Sequence, residues 1–227
     1  MAAASLRVVL FGSSVLVRSS FLPYAETRAS GLLHTSPTAL SPIPTMHVIE
    51  TISEDIPKDE NFDILTSSFF QNHKELPTPE EVRARARAQY AAGTYWGWKE
   101  RSVNSKGYNG SPVPAVFEEM GLFVKWGSLV KLTEGQTLYA IRNHCGRLIP
   151  VPELYGWRTD GSEVFLYMEA VYGRTMEDAW PDLDEEDRLH IFRGLRSILC
   201  NLRQIRLPPA KKFIGKISKI VLLLLYY

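Results

Sequence analysis

Leu122-Phe123-Val124-Lys125-Trp126-Gly127, followed four residues later by Leu132-Thr133-Glu134-Gly135-Gln136-Thr137-Leu138, is the stretch on which the fold turns. In the first run Leu122, Val124 and Trp126 share one face and Phe123 and Lys125 the other, the period of a strand. From Leu132 to His144 the apolar residues return at helical spacing, and Gly146 stands where such a helix stops. Ala115 to Met120 is a second apolar run across Gly121, so the order predicted is a hairpin and then a helix. A lysine in mid-strand either snorkels its stem past a sheet edge or serves a charged partner. Glu134 offers one, four residues before Leu138 and seven before Ile141, on the stripe that the helix buries. A buried carboxylate is costly unless paired, so a Lys125–Glu134 ion pair between strand and helix is expected.

Upstream, Thr78-Pro79-Glu80-Glu81 is a capping box with proline at the first helical position. Val82, Ala86 and Tyr90 repeat every fourth residue, and Gly93 ends the helix. Arg83, Arg85 and Arg87 alternate along it and read as its solvated surface. Thr94 to Pro114, rich in glycine, asparagine and aromatics, reads as loop. Downstream, Pro150-Val151-Pro152 forces an extended connection. Leu154 to Trp157 and Val164 to Glu169 read as strands about an Asp160-Gly161 turn. After Gly173 the pattern is helical. Thr175 with Asp178 makes a second capping box, and Asp184 caps a longer helix striped by Leu189, Phe192, Leu195, Leu199, Leu202 and Ile205. Strands around one helix, a connector and then helices give an α+β plan of two lobes.

The 227 residues are 45% hydrophobic and 11% aromatic, which suits a packed core. Twenty-six Lys and Arg face 25 Asp and Glu, so no global field favours nucleic acid or an anionic membrane. No run reaches the length of a membrane span. Cys145 and Cys200 lack metal spacing and read as two thiols of a reduced compartment. His144 beside Cys145 is one pair, short of a zinc set. Asp182 and the acids from Asp184 to Asp187 lack the glycine and spacing of a calcium loop and suit a helix start. Residues 1–45 are basic, serine-bearing and free of acid before Glu26. Two readings stand: a mitochondrial presequence, or an extension ahead of a true start at Met46 in a cytoplasmic protein. Either way this part is expected to be disordered.

Leu122 to Gly127, Glu134 to Leu138, Val151-Pro152-Glu153-Leu154-Tyr155-Gly156-Trp157 and Phe165-Leu166-Tyr167-Met168-Glu169 follow one another in order. Together, over about Pro112 to Gly215, they resemble the fungal branch of the aminoglycoside phosphotransferase and choline kinase-like family. The resemblance implies a protein kinase-like fold. Residues 78–172 would be the N-terminal lobe, 46–77 an irregular acidic lead-in, and 173–209 the start of a helical C-terminal lobe. It implies that Lys125 contacts ATP phosphates with Glu134 as its partner. The backbone carbonyl of Glu169 and the amide of Val171, in a hinge from Met168 to Tyr172, would meet the adenine. The acceptor would be a small-molecule hydroxyl.

Family members carry a His-Gly-Asp segment and a later Asn and Asp that hold magnesium. Residues 1–227 contain no His-Gly-Asp, and no Gly-x-Gly-x-x-Gly precedes Lys125. The resemblance therefore implies a chain inactive as it stands, with Mg2+ serving only a complete enzyme. The other reading is a pseudokinase-type fragment that binds nucleotide or partners without catalysis. Residues 210–227 end in an apolar run with the look of a shifted frame or translated intron. Without a full second lobe, five large side chains of the long helix would lose about 10 kcal/mol of burial, leaving a marginal, adhesive chain.

Overall fold

The computed structural model describes residues 6–11, 14–19, 56–94 and 112–204, giving backbone alone for the first two stretches and for Arg147. The expectations for the linker before Met46, for residues 95–111 and for everything beyond 204 lie outside the described residues.

Helix α2 runs Pro79–Ala91 and begins as its capping box requires. Thr78 Oγ1 accepts from Glu81 N at 3.3 Å, and Glu81 Oε2 accepts from Thr78 N at 2.7 Å. The Thr78 amide, and the Thr78 hydroxyl donating to Oε2 at 2.8 Å, hold the Glu81 carboxyl below its ordinary pKa. Strands β3 (Phe62–Asp63), β4 (Ala115–Phe117), β5 (Leu122–Gly127), β6 (Leu154–Asp160) and β7 (Glu163–Glu169) form an antiparallel sheet in the order β3-β6-β7-β5-β4. Left-handed Gly121 (φ 58°) and Gly161 (φ 60°) make the β4–β5 and β6–β7 turns, where a side chain would be strained. Helix α3 spans Leu132–Cys145 between β5 and β6.

The period of two sorts the sheet's side chains into two cores. Leu122, Val124, Phe165 and Tyr167 pack with Val82 and Ala86 on the α2 side. Phe123, Leu166, Met168 and Trp157 pack with Leu138 and Tyr139 on the α3 side. Gln89 closes the β4 edge: its Nε2 donates to Val116 O at 2.8 Å and its Oε1 accepts from Val116 N at 3.0 Å. A side-chain amide thus stands where another strand would pair, blunting that edge.

Two arginines expected on the surface of α2 instead bind it to the sheet. Arg83 donates to Asp160 at 2.6 Å and Glu163 at 2.7 Å and lies over the Phe165 ring at 5.1 Å. Arg85 pairs with Glu119 and lies over Phe117 at 4.8 Å. Their long stems reach round the helix to carboxylates on the hairpin turns, which alternation along a helix does not reveal. Arg87 pairs with Glu80 at 3.0 Å on the exposed side.

Residues 56–77, read as an irregular lead-in, pack onto the sheet. Phe62 lies 5.0 Å from Trp157, and Trp157 Nε1 donates to Asp59 O at 2.8 Å. Asp63 pairs with Arg158 at 2.6 Å. One helical turn, α1 (Phe69–Asn72), sends Phe69 into the core, as Leu76 is. The acidic composition hid this because the groups used are mostly backbone carbonyls and one carboxylate answering Trp157 and Arg158.

Beyond the sheet, β8 (Arg174–Thr175) leads into α4 (Met176–Ala179) and α5 (Glu185–Arg203). Asp184 caps α5 by accepting from Asp187 N at 2.8 Å. The face that α5 buries is Ile191, Ile198 and Leu202, with Leu195, against Ile141, Cys145, Ile149 and Val151. The expected stripe is only partly used, for Leu189 and Phe192 are 46% and 54% exposed. Two apolar stripes lie about one residue apart round this helix, and the one facing α3 is buried. The N-terminal apolar runs also form structure: β1 (Leu6–Phe11) pairs with β2 (Ser14–Ser19), and β2 pairs with β8 through Leu16–Thr175 and Val17–Arg174. The result is α+β. No helix among the described residues is long and apolar enough to cross a membrane.

Candidate functional site

Lys125 and Glu134 come together because β5 and α3 are packed face to face. Lys125 stands opposite Leu166 in the β5–β7 ladder. Gly135 rests on that same Leu166: a Cβ built there would meet Leu166 Cδ2 at 2.9 Å and Trp157 Cε3 at 3.2 Å. A helix that touches the sheet through a glycine comes closer than any side chain would allow. Glu134, the preceding residue, is thereby set over Lys125, and Lys125 Nζ lies 2.6 Å from Glu134 Oε1. The pair is half-buried, with 37% and 27% of the two side chains exposed, where the stripe had implied fuller burial. An ammonium so placed keeps one side fixed by the carboxylate and another open to an approaching anion.

The end of β7 carries the other expected residues. Glu169 N donates to Glu153 O at 2.8 Å, and Glu169 Oε2 accepts from Glu153 N at 3.2 Å. Ala170 N donates the other way, to Gly121 O at 2.9 Å, anchoring the segment to the β4–β5 turn. Alternation along β7 sets the Glu169 carbonyl on the side opposite that bond. Val171 is 5% exposed, and its amide makes no backbone hydrogen bond among the described residues.

The chain thus brings Lys125 to Glu134 and places Glu169 at the end of β7, with Val171 two residues beyond it. Two elements of this arrangement were not read from the sequence. Gly135 sets the helix height, and its signal was a glycine inside a helix, which calls for a packing reason. The Glu153–Glu169 bracket has no local signal, since its two halves are 16 residues apart. Asp182, by contrast, pairs with Arg174 at 2.6 Å, and Cys145 is buried with its thiol pushed up by desolvation. Compared with protein-family models, curated proteins and solved structures, the chain finds no match.

Proposed function

We propose that residues 56–172 are the nucleotide-binding lobe of an ATP-dependent phosphotransferase for a small-molecule hydroxyl, of the aminoglycoside phosphotransferase and choline kinase-like type. The observation that carries the reading is the Lys125–Glu134 pair at 2.6 Å. A strand lysine steadied by a helix glutamate is the device with which kinases hold the α- and β-phosphates. Glu134 orients the ammonium, and Lys125 offers its remaining protons to the phosphate oxygens. The Glu169 carbonyl and the Val171 amide serve the adenine edge as acceptor and donor. Deprotonation of the acceptor and binding of Mg2+ belong to His-Gly-Asp, Asn and Asp residues of a complete enzyme, and residues 1–227 hold no His-Gly-Asp. A second reading is a protein that binds nucleotide and acts through contacts without transferring phosphate.

Calorimetric titration of ATP into the 227-residue chain tests the proposal. Binding is expected, with little change when Mg2+ is added. Lys125→Ala should weaken it by at least about tenfold, the worth of a charge-assisted bond. The variant should melt nearly as the parent does, because an ion pair this open contributes only about 0–1 kcal/mol. Equal affinity in parent and variant would remove Lys125 from the site. Phosphate transfer by the chain itself would remove the second reading.

A further inference from the structure

Helix α3 is held on two flanks. On one, Glu134 meets Lys125 at 2.6 Å. On the other, residues 57–64 run past the helix and grip it. Gln136 Nε2 donates to Pro57 O at 2.9 Å, across 79 residues of sequence. Tyr139, three residues on and so on the same side of α3, meets the Phe62 ring edge to face with centroids 6.0 Å apart. Gln136 follows Glu134 by two residues, roughly 200° round the helix, which sets the two grips on opposed flanks. The same segment is fixed to β6. Trp157 Nε1 donates to Asp59 O at 2.8 Å, Thr159 Oγ1 donates to Glu60 O at 2.6 Å, and Phe62 stands opposite Trp157 in the β3–β6 ladder. The fully buried Trp157 indole is also part of the floor beneath Gly135. One side chain thus ties the segment to the turn of α3 that carries Glu134.

We propose that residues 57–64 are a strap that sets the roll of α3, and that Gln136 is a positioning residue for the Lys125–Glu134 pair. A roll of about 20° carries a side-chain end at the helix surface roughly 2 Å, enough to part a pair held at 2.6 Å. Gly135 fixes how near α3 comes to the sheet but has no side chain to oppose a roll. The contacts of Gln136 and Tyr139 with the strap supply that resistance. Pro57, with its φ fixed, narrows the paths the strap can take. The consequence for nucleotide binding rests on the function proposed above; the coupling of strap to ion pair does not. Loosening the strap then lowers ATP affinity although no strap residue belongs to the nucleotide site.

The test uses the full chain and two variants. Gln136→Met keeps the stem and removes the donor; Phe62→Leu removes the ring between Tyr139 and Trp157. Acylation of Lys125 by an N-hydroxysuccinimide ester is read by peptide mass spectrometry against the exposed Lys74. Both variants should raise the relative rate at Lys125, because its ammonium is released from the carboxylate. Val82→Ala, a destabilising change in the α2-side core, should leave that rate as it is. By calorimetry Gln136→Met should lower ATP affinity about three- to tenfold. In a Lys125→Ala background it should lower it no further, since the two residues act through one contact. An additive loss in that double variant, or acylation of Lys125 unchanged in both strap variants, would overturn the proposal. Failure of the nucleotide reading is distinguishable: the parent then takes up no ATP, while acylation of Lys125 still rises in both strap variants. If ATP binds through Lys125 and acylation does not move, the strap proposal fails and the nucleotide reading stands.

Discussion

At Gly135 two local effects oppose each other, and their sizes decide the outcome of a substitution. Alanine would raise helix propensity by about 1 kcal/mol. Its methyl, however, would meet Leu166 at 2.9 Å and Trp157 at 3.2 Å. Both neighbours are fully buried and have little room to yield, and overpacking of this kind costs about 1–3 kcal/mol. Gly135→Ala is therefore expected to lower stability by up to about 2 kcal/mol in urea unfolding. It should also lift the first turn of α3, separate Glu134 from Lys125 and weaken ATP binding more than the stability loss alone implies. A stabilised variant with unchanged ATP affinity would show that α3 is not held at its height by this contact. Gly156 makes a similar point on the other side of the sheet, since a Cβ there would meet Phe62 O at 2.4 Å.

Among the elements, α5 offers the sharpest contrast, because its two apolar stripes are chemically alike and only one is buried. Ile198 is 5% exposed and packs toward Cys145 and Ile149, whereas Phe192 is 54% exposed and touches Trp180 edge-on at 5.7 Å. Ile198→Ala should cost about 2–4 kcal/mol, and Phe192→Ala under about 1 kcal/mol, both read from urea unfolding. The reverse ranking would mean that α5 turns its other face inward. The same contrast explains what the sequence made legible. The capping box at Thr78, the N-cap at Thr175, the turns at Gly121 and Gly161, and the alternation of Leu122 to Trp126 depend on neighbours a few residues away, and they were readable. So was the Lys125–Glu134 pair, because both residues sit on faces whose period identifies them. The choice between Ile191 and Leu189, the docking of Phe62 on Trp157 and the reach of Arg83 to Glu163 depend on partners far along the chain. Periodicity carries no information about those, and they were missed.

For the molecule as a whole, the layering of α2, sheet, α3 and α5 buries three acids that are neutral when protonated, and this fixes a pH response. Cys145, between α3 and α5, and Tyr155 and Tyr167, in the α2-side core, are all pushed above their ordinary values of 9.0 and 10.0, in each case chiefly by burial. The Tyr167 hydroxyl is also buried without a partner. A raised folded pKa means that the unfolded chain releases its protons first as pH rises. The stability these groups contribute is thus complete below about pH 9 and declines above it, since the folded state then binds more protons than the unfolded. Above pH 10 the decline should reach at least about 1.4 kcal/mol per pH unit, the slope of one linked proton. Tyr167→Phe separates this effect from the titration of surface lysines, because it deletes one buried acid and leaves the lysines in place. The variant should be as stable as the parent at pH 7, or more so, through loss of the orphaned hydroxyl. Its alkaline limb should be flatter by up to one proton's slope, with the gap between variant and parent widening from pH 9 to pH 11. Urea unfolding of the two proteins across that range measures the gap directly. Parallel limbs would mean that water reaches Tyr167 in the folded state, and that the core under α2 is looser than its packing implies.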